Sequence, residues 1–148
     1  MPPELHRESL AKSLDEADDE YQRMLLALLL YRPRRDVVEA VRAAYNDPSW
    51  SWTESDGCTA VSEAHSPKGK KFWPCVMHDH QCELARRAPN WKEHCRIRLG
   101  GDNLFYKANV DFGMSRARAY IRYVWVRRAW YLYYRWKEKA ERKRQGRM

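Results

Sequence analysis

Between Phe72 and Arg87 the chain runs FWPCVMHDHQCELARR, and its side-chain pattern limits what can be built around it. Pro74 suits the first turn of a helix, and Glu83, Leu84, Ala85 and Arg86 are good helix formers, so the composition predicts a helix from here to about Pro89. On it Cys75, His78 and Cys82 fall at i, i+3 and i+7 and share one stripe, bordered by Asp79. A core-facing stripe is ordinarily apolar. Two thiols and an imidazole in its place mark the stripe as more than plain core.

The rest of the chain is also helical in pattern. Leu10, Leu14, Ala17, Tyr21, Met24 and Leu28 keep a three-or-four spacing, which predicts an amphipathic helix that ends apolar all round in MLLALLLY and closes at Pro33. That run is too short to cross a bilayer, so it is expected to bury against other helices or a protein partner. A second helix is expected from Asp36 to Tyr45. Asp47-Pro48 then opens a long loop carrying Trp50, Trp52 and TESDGCTAVSEAHSPKGKK, with the tryptophans expected in the core. Pro89-Asn90 and Gly100-Gly101 are expected to bracket a connection, after which Asp102 starts a helix with Leu104, Phe105, Ala108 and Phe112 facing inward. From Ser115 a long helix interleaves Tyr and Trp with arginine, and KEKAERKRQGRM is expected to be a frayed, charged end.

Runs of alternating β-branched residues are missing, which makes the fold class all-α. At 148 residues the chain accommodates one domain, here divided into an N-terminal helical extension (1–46), a central domain (47–136) and a basic tail (137–148). The formal net charge of +8 favours an anionic partner, either nucleic acid or an acidic lipid surface. On the last helix, arginine recurs too often for a transmembrane span. Its mixture suits solvated packing, an interfacial position at lipid headgroups, or stacking on single-stranded nucleic acid. The N-terminus shows no secretory signal. The four cysteines, Cys58, Cys75, Cys82 and Cys95, suit two disulfides, a metal site or reduced thiols.

Histidine serves as a general base when one ring nitrogen faces water and the other is held by a carboxylate. Two helices joined by a modest loop would bring Asp102 beside His78 in that way. Asp102 is alternatively no more than an N-cap, and Asp111 is a weaker substitute. Asp79 would turn aside toward a hard cation completed by backbone carbonyls from the loop at Asp56-Gly57. His80 is expected to be solvated, and His65 and His94 to be loop residues without a special role.

The succession SDGCT, FWPCVMHD and GDNLFYK resembles the phospholipase A2 family, in particular its compact prokaryotic and fungal branch, over about Trp50 to Val126. The resemblance implies two antiparallel core helices and a calcium loop, with an extra N-terminal helix and a long C-terminal helix added here. It implies calcium-dependent hydrolysis of the sn-2 ester of glycerophospholipids at an anionic membrane surface. His78 would be the base, Asp102 the carboxylate behind it, and Asp79, Asp56 and Gly57 the calcium site. It also implies a Cys58–Cys75 disulfide; a second bridge, Cys82–Cys95, is then open, and bridged cysteines would suit a secreted, extracellular or virion-associated protein. Two departures stand out. The family has tyrosine four residues after the catalytic histidine to support the aspartate, where this chain has Cys82, so that support must come from elsewhere or be absent. The loop EAHSPKGKK is unusually basic for a calcium site.

Two other classes stay open. Cys75, His78, Cys82 and Cys95 are acceptable Zn2+ ligands, and H-D-H also occurs in ββα-metal nucleases, which would suit the positive charge as a nucleic-acid-binding module. Paired C-x-x-C knuckles are lacking. The other class is a catalytically silent member of the phospholipase A2 fold that binds membrane or protein, an option Cys82 favours.

Overall fold

A computed structural model describes residues 3–16, 19–52 and 73–148 of the chain. Their order is α1 (Pro3–Glu16), α2 (Glu20–Tyr31), α3 (Arg35–Asn46), α4 (Trp73–Arg86), α5 (Trp91–Asp111), α6 (Arg116–Ala129), a π-helical segment (Trp130–Tyr134) and α7 (Arg135–Arg144). No strand occurs among the described residues, so the all-α expectation holds.

The expected single N-terminal helix is two. Asp19 caps α2 by accepting from the Tyr21 amide at 2.8 Å, and Arg32, at φ 46° in the left-handed region, closes it ahead of Pro33. The carboxylate of Asp111 accepts from Arg34 Nε and Nη2, both at 2.9 Å, which ties the start of α3 to the end of α5. Val37, Ala40, Val41 and Ala44 then point inward at helical spacing. These residues join Leu14, Met24 and Ala27 in one apolar cluster with Trp73, Val76, Met77, Phe105, Ala108, Phe112 and Ala119. The 1–46 segment therefore shares its core with the helices that follow; Trp50 and Trp52 pack against the edge of that cluster, partly buried, and Trp73 lies within it.

The central pair is α4 and α5, joined by a tight turn. The partners His78 with Asp102, Gln81 with Gly101 and Cys82 with Arg98 climb one helix while descending the other, so the pair is antiparallel. The expected break at Gly100-Gly101 does not occur. Asn90 caps α5 instead, accepting from the Glu93 amide at 2.9 Å, and the helix runs through both glycines to Asp111. Gly101 is a notch rather than a turn: a Cβ there would lie 2.7 Å from Cβ of Gln81, so its absence lets the two helices close.

The C-terminal helix is continuous with a π-helical segment inside it, and Ser115 caps its start. The wider turn adds a residue, which returns Glu138 to the inward face that Trp130 occupies, and Trp130 Nε1 donates to Glu138 Oε2 at 2.6 Å. The end of the chain is docked, not frayed. Arg142 is buried, and its guanidinium donates to the carbonyl of Ala88 at 2.6 Å and to that of Arg86 at 3.3 Å, occupying acceptors at the C-terminus of α4. No helix among the described residues is long and apolar enough to cross a membrane.

Candidate active site

His78 comes from the middle of α4 and Asp102 from the middle of α5, at the level where the Gly101 notch brings the helices together. His78 Nε2 lies 2.5 Å from Asp102 Oδ1, and the Phe105 ring rests on the imidazole with centroids 4.6 Å apart. Asp102 is 0 % exposed, and His78 is buried but for a small accessible edge. Asp102 lies in the interior of α5, so the reading of it as an N-cap is excluded, and Asp111 is committed to Arg34.

The second oxygen of Asp102 is also satisfied. Arg127 of α6 donates from Nη1 to Oδ2 at 2.7 Å, and the Arg98 guanidinium stands 3.8 Å from Oδ1, an ion pair without a hydrogen bond. Burial by itself would raise the Asp102 pKa. The hydrogen bond and charge of His78, the charge of Arg98 and the hydrogen bond from Arg127 outweigh it and hold the carboxyl below its ordinary value. Asp102 is thus held by one guanidinium from its own helix, which also touches Cys82, and by one from α6.

Cys82 does something different. Its sulfur accepts from Arg98 Nη1 at 2.8 Å, and burial pushes the thiol up to about 12. The bridge considered between Cys82 and Cys95 is absent, since both are free. The antiparallel register sets Cys82 against Arg98, a turn away from Cys95, whose electrostatic neighbours Glu138, Arg135 and Lys139 belong to α7. Cys75 is disulfide-bonded; its expected partner Cys58 lies outside the described residues.

Arg98 also reaches Glu138 Oε1 at 3.4 Å, and Glu138 Oε2 accepts from His94 Nε2 at 3.1 Å as well as from Trp130. Burial would raise Glu138, but the His94 hydrogen bond, the Arg98 charge and the Trp130 bond bring it below its usual range. A buried polar chain therefore links α7 to the dyad. His94 is a part of it and not a loop residue: it is buried on α5 and stacks on Trp91. His80 is likewise buried rather than solvated. Its Nε2 meets Asp47 Oδ2 at 2.8 Å, where Arg87 Nη1 also donates at 2.8 Å, and Trp50 packs on its ring. The bond with His80, then those from Ser49 and Arg87, hold Asp47 far below the ordinary carboxylate range.

Of the expected calcium ligands, Asp79 is half-buried on α4, directly after His78 and so about 100° round the helix from it. Asp56 and Gly57, like His65, lie outside the described residues. Among the described residues no three His, Cys, Asp or Glu side chains are gathered as a metal site. For the zinc reading, His78 is engaged by Asp102 and Cys82 by Arg98.

Arg98, Arg127 and Glu138 were invisible as site residues in the sequence. Arg127 stands in a run of arginines and aromatics that resembles a solvated surface, and only burial of Asp102 on another helix makes it a partner. No protein-family model, no curated protein and no solved structure matches the chain.

Proposed function

We propose that this chain is a calcium-dependent phospholipid esterase of the phospholipase A2 type, hydrolysing the sn-2 ester at an anionic membrane surface. The observation that supports this reading is the 2.5 Å approach of His78 Nε2 to Asp102 Oδ1 between two antiparallel helices. Asp102 accepts a hydrogen bond from the Nε2–H of His78 and so fixes the tautomer, which leaves Nδ1 with its lone pair. Nδ1 removes a proton from a water as that water attacks the ester carbonyl, then returns the proton to the departing alkoxide oxygen. Asp79 and the Asp56-Gly57 loop would hold a calcium ion, which would supply the charge that polarises the carbonyl. The proposed Cys58–Cys75 bridge suits an oxidising compartment.

A second reading, a catalytically silent domain of the same type that binds membrane or protein, has its own observation: Cys82 stands where the family has a supporting tyrosine, and its sulfur is engaged by Arg98, not by Asp102.

Replacing His78 by Asn keeps a hydrogen-bonding side chain of smaller size. It should leave the fold intact and lower phospholipid hydrolysis by about 10²- to 10⁴-fold, the usual contribution of a general base. Chelating calcium should act alike. Unchanged turnover in the variant removes the assignment of His78. No turnover in the wild-type protein at saturating calcium supports the silent reading. Stoichiometric zinc, with unfolding on its removal, supports the metal-knuckle alternative.

A further inference from the structure

Away from the dyad, α5 and α7 enclose a groove of about 450 Å³ lined by Trp91, Arg135, Trp136, Lys139, Ala140 and Lys143. Arg135, Lys139 and Lys143 recur every four residues and so stand along one edge of α7. Among the described residues no acidic side chain lines the groove and none of the three cations forms an ion pair. Two of them lie over aromatic faces instead, Lys139 Nζ at 5.9 Å from the Trp91 centroid and Arg135 Cζ at 4.1 Å from that of Tyr131. Three cations around one concavity suit an anion carrying several acceptor oxygens, for which a phosphate group is the fitting chemistry.

The flank of the groove decides where that phosphate comes from. Trp136 is 73 % exposed and Leu132, one turn earlier, is 74 % exposed; Trp125, two turns before Leu132 on the same continuous helix, is 61 % exposed. A free phosphate would leave all three in water. Single-stranded nucleic acid would stack on the indoles but gain nothing from Leu132. A lipid headgroup region covers both parts, with phosphate among the cations and Trp and Leu at the level of the upper acyl chains.

We infer that the α5–α7 groove is a docking site for the phosphate of an anionic membrane phospholipid, separate from the catalytic dyad. Trp91 and Asp102 lie three turns apart on α5, about 16 Å along its axis. Attachment and hydrolysis therefore use different residues. The inference rests on the function proposed above for lipid as the partner, and on the groove itself for the anion.

The test measures attachment of the full chain to phosphatidylcholine vesicles with and without phosphatidylserine. The wild type should bind the acidic vesicles, and Arg135→Gln/Lys139→Gln/Lys143→Gln should bind them roughly 100-fold more weakly, as expected for three juxtamembrane charges. Trp136→Ala should weaken binding several-fold, and Trp136 fluorescence should be quenched by brominated acyl chains. All these residues are at the surface, so circular dichroism should be unchanged. Equal attachment of the triple variant overturns the proposal. So does saturable binding of inorganic phosphate or of a single-stranded oligonucleotide at the groove by protein that ignores vesicles. His78→Asn should attach as well as wild type. A wild-type protein that attaches but hydrolyses nothing sinks the esterase and spares the groove. One that hydrolyses monomeric short-chain phospholipid, yet attaches equally without its groove cations, sinks the groove alone.

Discussion

Arg127 donates to the oxygen of Asp102 that His78 does not use. A carboxylate with no exposure thus has each oxygen engaged, one by the imidazole of α4 and one by a guanidinium from α6, so three helices meet on one side chain. The arrangement holds Asp102 ionised and in one orientation, which is what a carboxylate backing a histidine has to provide.

Arg127→Leu should therefore expose the coupling. Leaving a buried carboxylate short of a partner should cost about 2–3 kcal/mol, below the usual range for a broken buried pair because Arg127 is partly exposed. Turnover on monomeric short-chain phospholipid should fall by up to about 100-fold through misplacement of His78, with KM little changed. Arg127→Lys should restore part of kcat through its charge while lacking the planar fork. A denaturant midpoint that falls while kcat stays at the wild-type value would make Arg127 structural only.

The two adjacent glycines of α5 should respond with opposite signs. At Gly101 a methyl group would press on Cβ of Gln81, which is fixed to the α4 backbone and cannot swing away. Gly101→Ala should destabilise by about 1–3 kcal/mol, less the gain in helix propensity, and separate His78 from Asp102. At Gly100 nothing lies within 4 Å, and Gly100→Ala should stabilise by roughly 0.5–1 kcal/mol. Urea melts of both variants, with hydrolysis measured on each, check the pair.

Acid should unfold the protein through its ion-paired carboxyls. Asp47, Asp102 and Glu138 all titrate below their ordinary values in the folded chain. A depressed folded pKa gives stability that is fully present above the unfolded value and is lost as pH falls toward the folded one. The urea midpoint should hold from pH 7 to about 5 and decline below about 4, where unfolded Asp and Glu take up protons. Asp47→Asn should flatten part of that decline and lower the midpoint at neutral pH by removing the acceptor shared by His80 and Arg87. A midpoint independent of pH from 5 to 2.5 would contradict the assignment.

The thiols should separate by burial. Alkylation of the unreduced, native protein at pH 8 should label Cys95, which is partly exposed, well before Cys82, whose thiol is buried and raised to about 12. Unfolding without reductant should free Cys82 and bring the count to two. Reduction should then release Cys75 and the proposed partner Cys58. Four labelled cysteines without reductant would remove the Cys58–Cys75 bridge.

Local pattern was enough for the helical class, for the stripe of α4, for the closure of α2 at Pro33 and for α3, because period and caps are properties of neighbouring residues. It also nominated His78 with Asp102, since a histidine and a carboxylate on consecutive helices are a short list. It misjudged Gly100-Gly101 as a break, because a glycine that ends a helix and one that lets two helices touch have the same letter. The buried states of His80 and His94 were hidden for a related reason: their partners, Asp47 and Glu138, are 33 and 44 residues away. What only the tertiary structure decided is who compensates Asp102. A buried charge has to be answered by whatever cation the packing brings near, and the choice of Arg127 and Arg98 among 28 lysines and arginines follows from the helix register.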